Sequence, residues 1–132
     1  MSNFSKTWKS SVKPRKQRKY IYEAPLHIRG KFMNVHLSEE LSKKLGKRSV
    51  RIRKEDKVKV VKGQFKGKTG KVERLDMKKA RAYIAGVDYQ KKDGTKIKYP
   101  VAVANLMIID LDTADKKRQE SMKRKQDGKK AP

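Results

Sequence analysis

The stretch that most limits this chain runs from Asp56 to Val72: Asp56-Lys57-Val58-Lys59-Val60-Val61-Lys62-Gly63-Gln64-Phe65-Lys66-Gly67-Lys68-Thr69-Gly70-Lys71-Val72. Val58 and Val60 alternate with Lys57 and Lys59, the period-two pattern of a strand with one buried face. Gly63 and Gly67 bracket a lysine-flanked loop, and Gly70 stands where a second strand begins. The first two suit positive φ in a turn, and the third suits a close backbone approach or a bulge. The stretch predicts strand, basic loop, strand, with Gly63, Gly67 and Gly70 as structural glycines.

Around that hairpin there is little apolar material and a large excess of positive charge. A length of 132 residues suits one domain with tails. With 35% hydrophobic and 39% charged residues, only a modest core can form, and part of the chain is expected to be unfolded alone. Lysine and arginine number 38 against 14 acidic residues, a formal charge of +24. That self-repulsion opposes compaction and calls for a polyanionic partner. No apolar run approaches the roughly 18 residues of a spanning helix, so nucleic acid is expected rather than a membrane. The absence of cysteine excludes disulfides and thiolate metal sites. Met1-Ser2-Asn3-Phe4 is followed by lysines with no apolar leader, which predicts an intracellular protein and a meaningless Asn3-Phe4-Ser5 sequon.

Residues 1–31 read as a basic N-terminal arm. Lys13, Arg15, Lys16, Arg18 and Lys19 crowd around Pro14 and Gln17 without a periodic apolar face, and Arg29 and Lys31 follow. Such an arm is either solvated and disordered, with nuclear import as one use, or a strap that orders inside folded RNA. Trp8, Tyr20 and Tyr22 either stack on bases or, for the two tyrosines, pack back on the domain.

Residues 32–112 read as the domain. After the apolar run 32–37, Ser38 is a good N-cap for a helix over 39–45, with Glu39 and Glu40 in its first turn and Gly46 as a left-handed cap. Leu41 and Leu45 share a face, and two turns need docking to survive. Arg48, Arg51 and Arg53 flank Val50 and Ile52, and arginine's planar fork suits phosphate. Further strands are expected over 70–75, 80–86 with Val87 and Tyr89 extending it, around Ile97 and Tyr99, and over 106–111. Five short strands with tight turns suit a small barrel. Residues 113–132 read as a basic helix or tail, capped by Asp112 or Thr113, with Asp115 in its first turn and Gly128 and Pro132 ending it. Only Ala114 and Met122 are apolar there, so no stripe is expected to be buried, leaving the helix frayed or laid along RNA.

Catalysis has poor raw material. His27 and His36 suit partly buried or RNA-facing roles better than those of ligand or base. Asp110, Asp112 and Asp115 fit strand-end and capping positions, and Glu55 and Asp56 are placed to pair with Arg or Lys. Gly67-Lys68-Thr69 has Gly63 four residues back rather than five and leads into a strand, so it is no phosphate-binding Walker loop. No enzyme, cofactor, metal or small-molecule substrate is expected.

On these residues the chain resembles a known family. Asp56–Val72 is similar to a KOW motif, the hairpin that opens a small SH3-like β-barrel and binds RNA in ribosomal and transcription proteins. The order of basic arm, Ser38-capped helix, Val50-Arg51-Ile52-Arg53-Lys54-Glu55-Asp56, KOW stretch and Asn105-Leu106-Met107-Ile108 resembles the universal large-subunit ribosomal protein number twenty-four, in its longer archaeal and eukaryotic form. The likeness spans about residues 13–112. Where that family often carries Pro-x-His-Pro-Ser-Asn, this chain has Pro100-Val101-Ala102-Val103-Ala104-Asn105, keeping the asparagine alone of the polar three.

The resemblance implies a mainly β fold, an SH3-like barrel with a docked helix and basic extensions. It implies a cytoplasmic constituent of the large ribosomal subunit that binds the 5′ region of large-subunit rRNA early in assembly, near the tunnel exit, with other large-subunit proteins as neighbours. RNA contacts are expected from Lys62, Gln64, Lys66, Lys68 and Lys71 at the hairpin. Others are expected from Arg48, Arg51 and Arg53, and from Lys13, Arg15, Lys16, Arg18, Lys19, Arg29 and Lys31 of the arm. Phe65 either plugs the barrel end or stacks on a base. A KOW-containing elongation factor or an architectural nucleic-acid-binding protein is the alternative.

Overall fold

The computed structural model describes residues 4–8 and 10–127. It opens with two helices, α1 (Pro14–Glu23) and α2 (Leu26–Phe32). Pro14 occupies the start of α1, where a missing amide costs nothing, and the Arg, Lys and Gln residues after it are good helix formers. Pro25 separates the two helices and holds the cap of α2 at φ −66°. Residues 14–32 are helical in the absence of RNA, where the arm was expected to be either disordered or ordered only inside folded RNA. The sequence did not disclose α1 because it has no buried residue and so leaves no apolar periodicity to read.

The chain continues through β1 (Asn34–Leu37), α3 (Glu39–Leu45), β2 (Ser49–Arg51), β3 (Lys57–Val60), β4 (Thr69–Asp76), β5 (Arg81–Gln90) and β6 (Lys96–Ala102). A 3₁₀ turn (Val103–Asn105), β7 (Leu106–Asp110) and α4 (Lys116–Asp127) complete it. α3 has the expected caps: the Ser38 hydroxyl accepts the Leu41 amide at 3.5 Å, and Gly46 is left-handed at φ 62°. Leu41 and Leu45 pack on the core.

The strands pair in the order β2-β1-β7-β3-β4-β5-β6. Neighbours are antiparallel except β1 and β7, which run parallel through His36–Met107 and Leu37–Ile108. The sheet is open: among the described residues no pairing joins β2 to β6, so a barrel closed by strand pairing is not what forms. β1 occupies the edge of β7 through which the five expected strands would have closed on β6. Alternation holds in β1 and β3, whose buried residues are Val35, Leu37, Val58 and Val60. These join Ile52, Val72, Ile84, Val87, Leu106, Ile108 and others in one core.

Gly63 and Gly67 take φ 103° and 90°, as the loop requires. Gly70 is a close approach instead: a Cβ there would lie 2.4 Å from the Ala85 carbonyl oxygen and 2.8 Å from Ile84 Cγ2.

The C-terminal helix departs from expectation twice. It starts at Lys116, with the Asp115 carboxylate accepting the Lys117 amide at 2.9 Å, so neither Asp112 nor Thr113 caps it. It is also docked, because Arg118 and Met122, four residues apart on one face, are both buried. Gly128, Lys129, Lys130 and Pro132 lie outside the described residues, as does Lys9.

Candidate nucleic-acid interface

The hairpin loop is tied down by its own backbone. The Gly67 amide donates to the Val60 carbonyl at 2.8 Å, the Val60 amide to the Lys68 carbonyl at 2.9 Å, and the Val61 amide to the Asn105 carbonyl at 2.8 Å. From this fixed frame Lys62, Gln64, Lys66 and Lys68 are all exposed, and none forms an ion pair among the described residues. Lys71, also exposed, lies 3.7 Å from Glu55. The Phe65 ring is buried in the core, 4.9 Å from the Tyr99 ring, with Lys68 Nζ 5.0 Å from its centroid. It packs into the fold and also lines the cavity beside the loop.

The three arginines have separate fates. Arg48 has no side-chain partner among the described residues and is exposed. Arg51 lies against the backbone of α2, its Nη1 2.6 Å from where a Gly30 Cβ would be, with Nη2 3.6 Å from Met77 Sδ. Arg53 pairs with Asp115, and that hydrogen bond is the largest cause holding the Asp115 carboxyl below its ordinary pKa. Arg51 and Arg53 line one hollow of about 340 Å³ with Lys47 and Lys117. Sequence reasoning missed those two lysines because they come from different elements.

Below that hollow is a buried charge pair. Asp56 is fully buried and Arg118 is 5% exposed. Arg118 Nη1 donates to Asp56 Oδ1 at 2.6 Å and Nη2 to Oδ2 at 2.7 Å, a two-pronged match of fork to carboxylate. The carboxylate also accepts the Arg53 amide at 2.8 Å and the Asp112 amide at 2.9 Å. The guanidinium donates further to the carbonyls of Asp112 and Arg51 at 3.0 and 3.1 Å. Asp56 was expected to pair with a basic residue near it, but its partner stands 62 positions away.

On the arm, Lys13, Arg15, Lys16, Arg18, Lys19 and Lys31 are exposed, while Arg29 is half-buried and donates to the Tyr22 carbonyl. Trp8 stacks on Tyr20 at 4.4 Å, with Phe4 at 5.0 Å and Phe32 at 6.0 Å from the same ring. Those aromatics are one another's partners, whereas Tyr22 is 75% exposed. His27 and His36 are both exposed. Among the described residues no group of three or more His, Cys, Asp or Glu could hold a metal ion, and no helix is long and apolar enough to cross a membrane.

A family model covering the eukaryotic ribosomal proteins L26 and their archaeal counterparts matches residues 11–125. The chain belongs to this family. It is 44% identical over 116 residues to "Large ribosomal subunit protein uL24" of Pyrobaculum islandicum, covering 88% of this chain and 94% of that protein. It is 43% identical over 115 residues to the protein of the same name from Methanosphaera stadtmanae, covering 87% and 98%. The family match spans all of α1 and reaches residue 125, within α4. Membership in a family of ribosomal proteins marks a structural constituent, not an enzyme.

Proposed function

We propose that this chain is a cytoplasmic constituent of the large ribosomal subunit, where it binds the 5′ region of large-subunit rRNA early in assembly, near the tunnel exit, beside other large-subunit proteins. The observation that carries this reading is the match to a ribosomal family over residues 11–125, with relatives named as large-subunit proteins. The geometry supplies a means. Lys62, Gln64, Lys66 and Lys68 stand on a hydrogen-bonded loop, so little backbone entropy is lost when they meet phosphates. Lys71, Arg48 and the exposed cations of α1 add neutralising charge where RNA helices pack closely. Specificity then comes chiefly from RNA shape. The curvature of an SH3-like KOW barrel belongs to the same proposal.

Sedimentation tests it: the protein should co-migrate with large subunits after a high-salt wash. Co-migration with RNA polymerase would replace it with an elongation factor, and comparable affinity for random duplex DNA and rRNA with an architectural protein. Lys66→Glu with Lys68→Glu should leave the circular-dichroism spectrum unchanged and weaken rRNA binding. Unaltered affinity would move the main contact away from the loop.

A further inference from the structure

Beside the KOW loop, a cavity of about 200 Å³ is lined by Lys62, Gln64, Arg81, Tyr99 and Asn105 over an apolar base that includes Val60 and Val101. It falls below the roughly 300–1,000 Å³ of sites for drug-sized ligands, so it suits a single flat ring. Three connections assemble it from distant positions. The loop contributes Lys62 and Gln64. Pairing of β5 with β6 sets Arg81 opposite Ala102. The bond from the Val61 amide to the Asn105 carbonyl brings Asn105 to the loop.

We infer that this cavity receives one unstacked nucleotide of the bound RNA, with its base against Tyr99 and its phosphates on Lys62 and Arg81. The inference rests on the RNA-binding reading and adds a defined subsite to it. Tyr99 is 36% exposed, yet its ring is already fixed by Phe65 at 4.9 Å and by Tyr89 edge-on at 6.2 Å. A base stacking on it therefore freezes little additional motion. Lys62 and Arg81 are exposed and form no ion pair among the described residues, and no acidic side chain lines the cavity. The side-chain amides of Gln64 and Asn105 likewise have no partner among the described residues. Each offers both a donor and an acceptor to a base edge. An acidic peptide would use the two cations and leave the ring and both amides unmatched. A nucleotide uses all of them.

The test is ultraviolet cross-linking of the full chain to large-subunit rRNA, with adducts mapped by mass spectrometry, alongside three variants. A single-nucleotide adduct at Tyr99 is expected. Arg81→Gln touches an exposed side chain and should lower affinity several-fold while reducing the salt slope by about one unit. Tyr99→Leu should lower affinity about tenfold with the slope unchanged, and Tyr99→Phe should keep most of it. Circular dichroism checks that Tyr99→Leu still folds. Adducts elsewhere on the protein with Tyr99 silent and Arg81→Gln neutral would overturn the subsite while leaving RNA binding intact. No adducts and no measurable RNA affinity would overturn both. A glutamate-rich peptide that suppresses the Tyr99 adduct as well as a short single-stranded RNA does would assign the cavity to a protein partner.

Discussion

The N-terminal helices and the C-terminal helix are both rich in lysine and arginine, but they are attached to the sheet by different physics. α1 buries none of its own residues, and its Tyr20 is held by stacking on Trp8, with Phe4 tilted and the Phe32 ring of α2 edge-on against it. α2 in turn lies over the Arg51 guanidinium at Gly30. α4 is anchored by one charge inserted beneath the surface, Arg118 on Asp56, with Met122 buried one turn later. Aromatic stacking is tolerant of small shifts. A buried ion pair is not, because each charge has given up its hydration and only good geometry compensates. The basic face of α1 is thus attached loosely and left exposed, while α4 is fixed in register.

The sharpest way to break this contrast is Arg118→Ala. It strands the Asp56 carboxylate without a counter-charge and should cost about 3–5 kcal/mol in urea unfolding. Replacing both residues with apolar ones of similar size should recover only part of that loss, because the Arg53 and Asp112 amides would lose their acceptor. An unchanged midpoint for Arg118→Ala would make α4 as loosely held as α1, and the contrast would collapse.

The contrast also assumes that the sheet between the two ends is rigid, which Gly70→Val examines. A side chain there meets the β5 backbone at Ala85, so a loss of about 2 kcal/mol or more is expected. A smaller loss would mean that β5 moves aside easily.

Deleting residues 1–23 should sharpen the difference. Ala24 and Gly30, which are buried, are retained, so stability should change by less than about 1 kcal/mol. RNA binding should respond instead. Lys13, Arg15, Lys16, Arg18 and Lys19 are removed, and each phosphate contact contributes about 0.7 to 0.9 to the slope of log affinity against log salt. If all five reach phosphates, the slope flattens by about four units. One shared slope for full and shortened chains would show an arm that only floats.

The smallest effect concerns Asp115, at the entry to α4. Its carboxyl is held below the ordinary range, first by the Arg53 hydrogen bond and also by the Lys117 amide. A depressed carboxyl contributes its stabilisation above the unfolded pKa and loses it as pH falls through the lower folded value. An NMR titration should therefore show Asp115 protonating below the ordinary aspartate value, and Arg53→Gln should move it upward. An ordinary titration in the unaltered protein would remove this contact from the account of how α4 starts.

Much of the frame was legible because it is local. The alternation at Val58 and Val60, the turns at Gly63 and Gly67, and the Ser38 and Gly46 caps of α3 all depend on residues a few positions apart. The loop cations could be named for the same reason. The cavity beside them could not, since Arg81, Tyr99 and Asn105 meet Lys62 only through strand pairing and the backbone bond from Val61 to Asn105.

By itself the sequence determined a mainly β domain with a basic hairpin, a large excess of positive charge, and poor raw material for catalysis. Tertiary structure alone decided three things. The parallel contact of β1 with β7, across some 70 residues, left the sheet open. Phe65 became part of the core. Arg118, one cation among many in a polar helix, became the buried partner of Asp56. Periodicity and capping are properties of neighbours along the chain, whereas desolvation depends on everything around a group in space, and a charge run does not disclose which of its members will be enclosed.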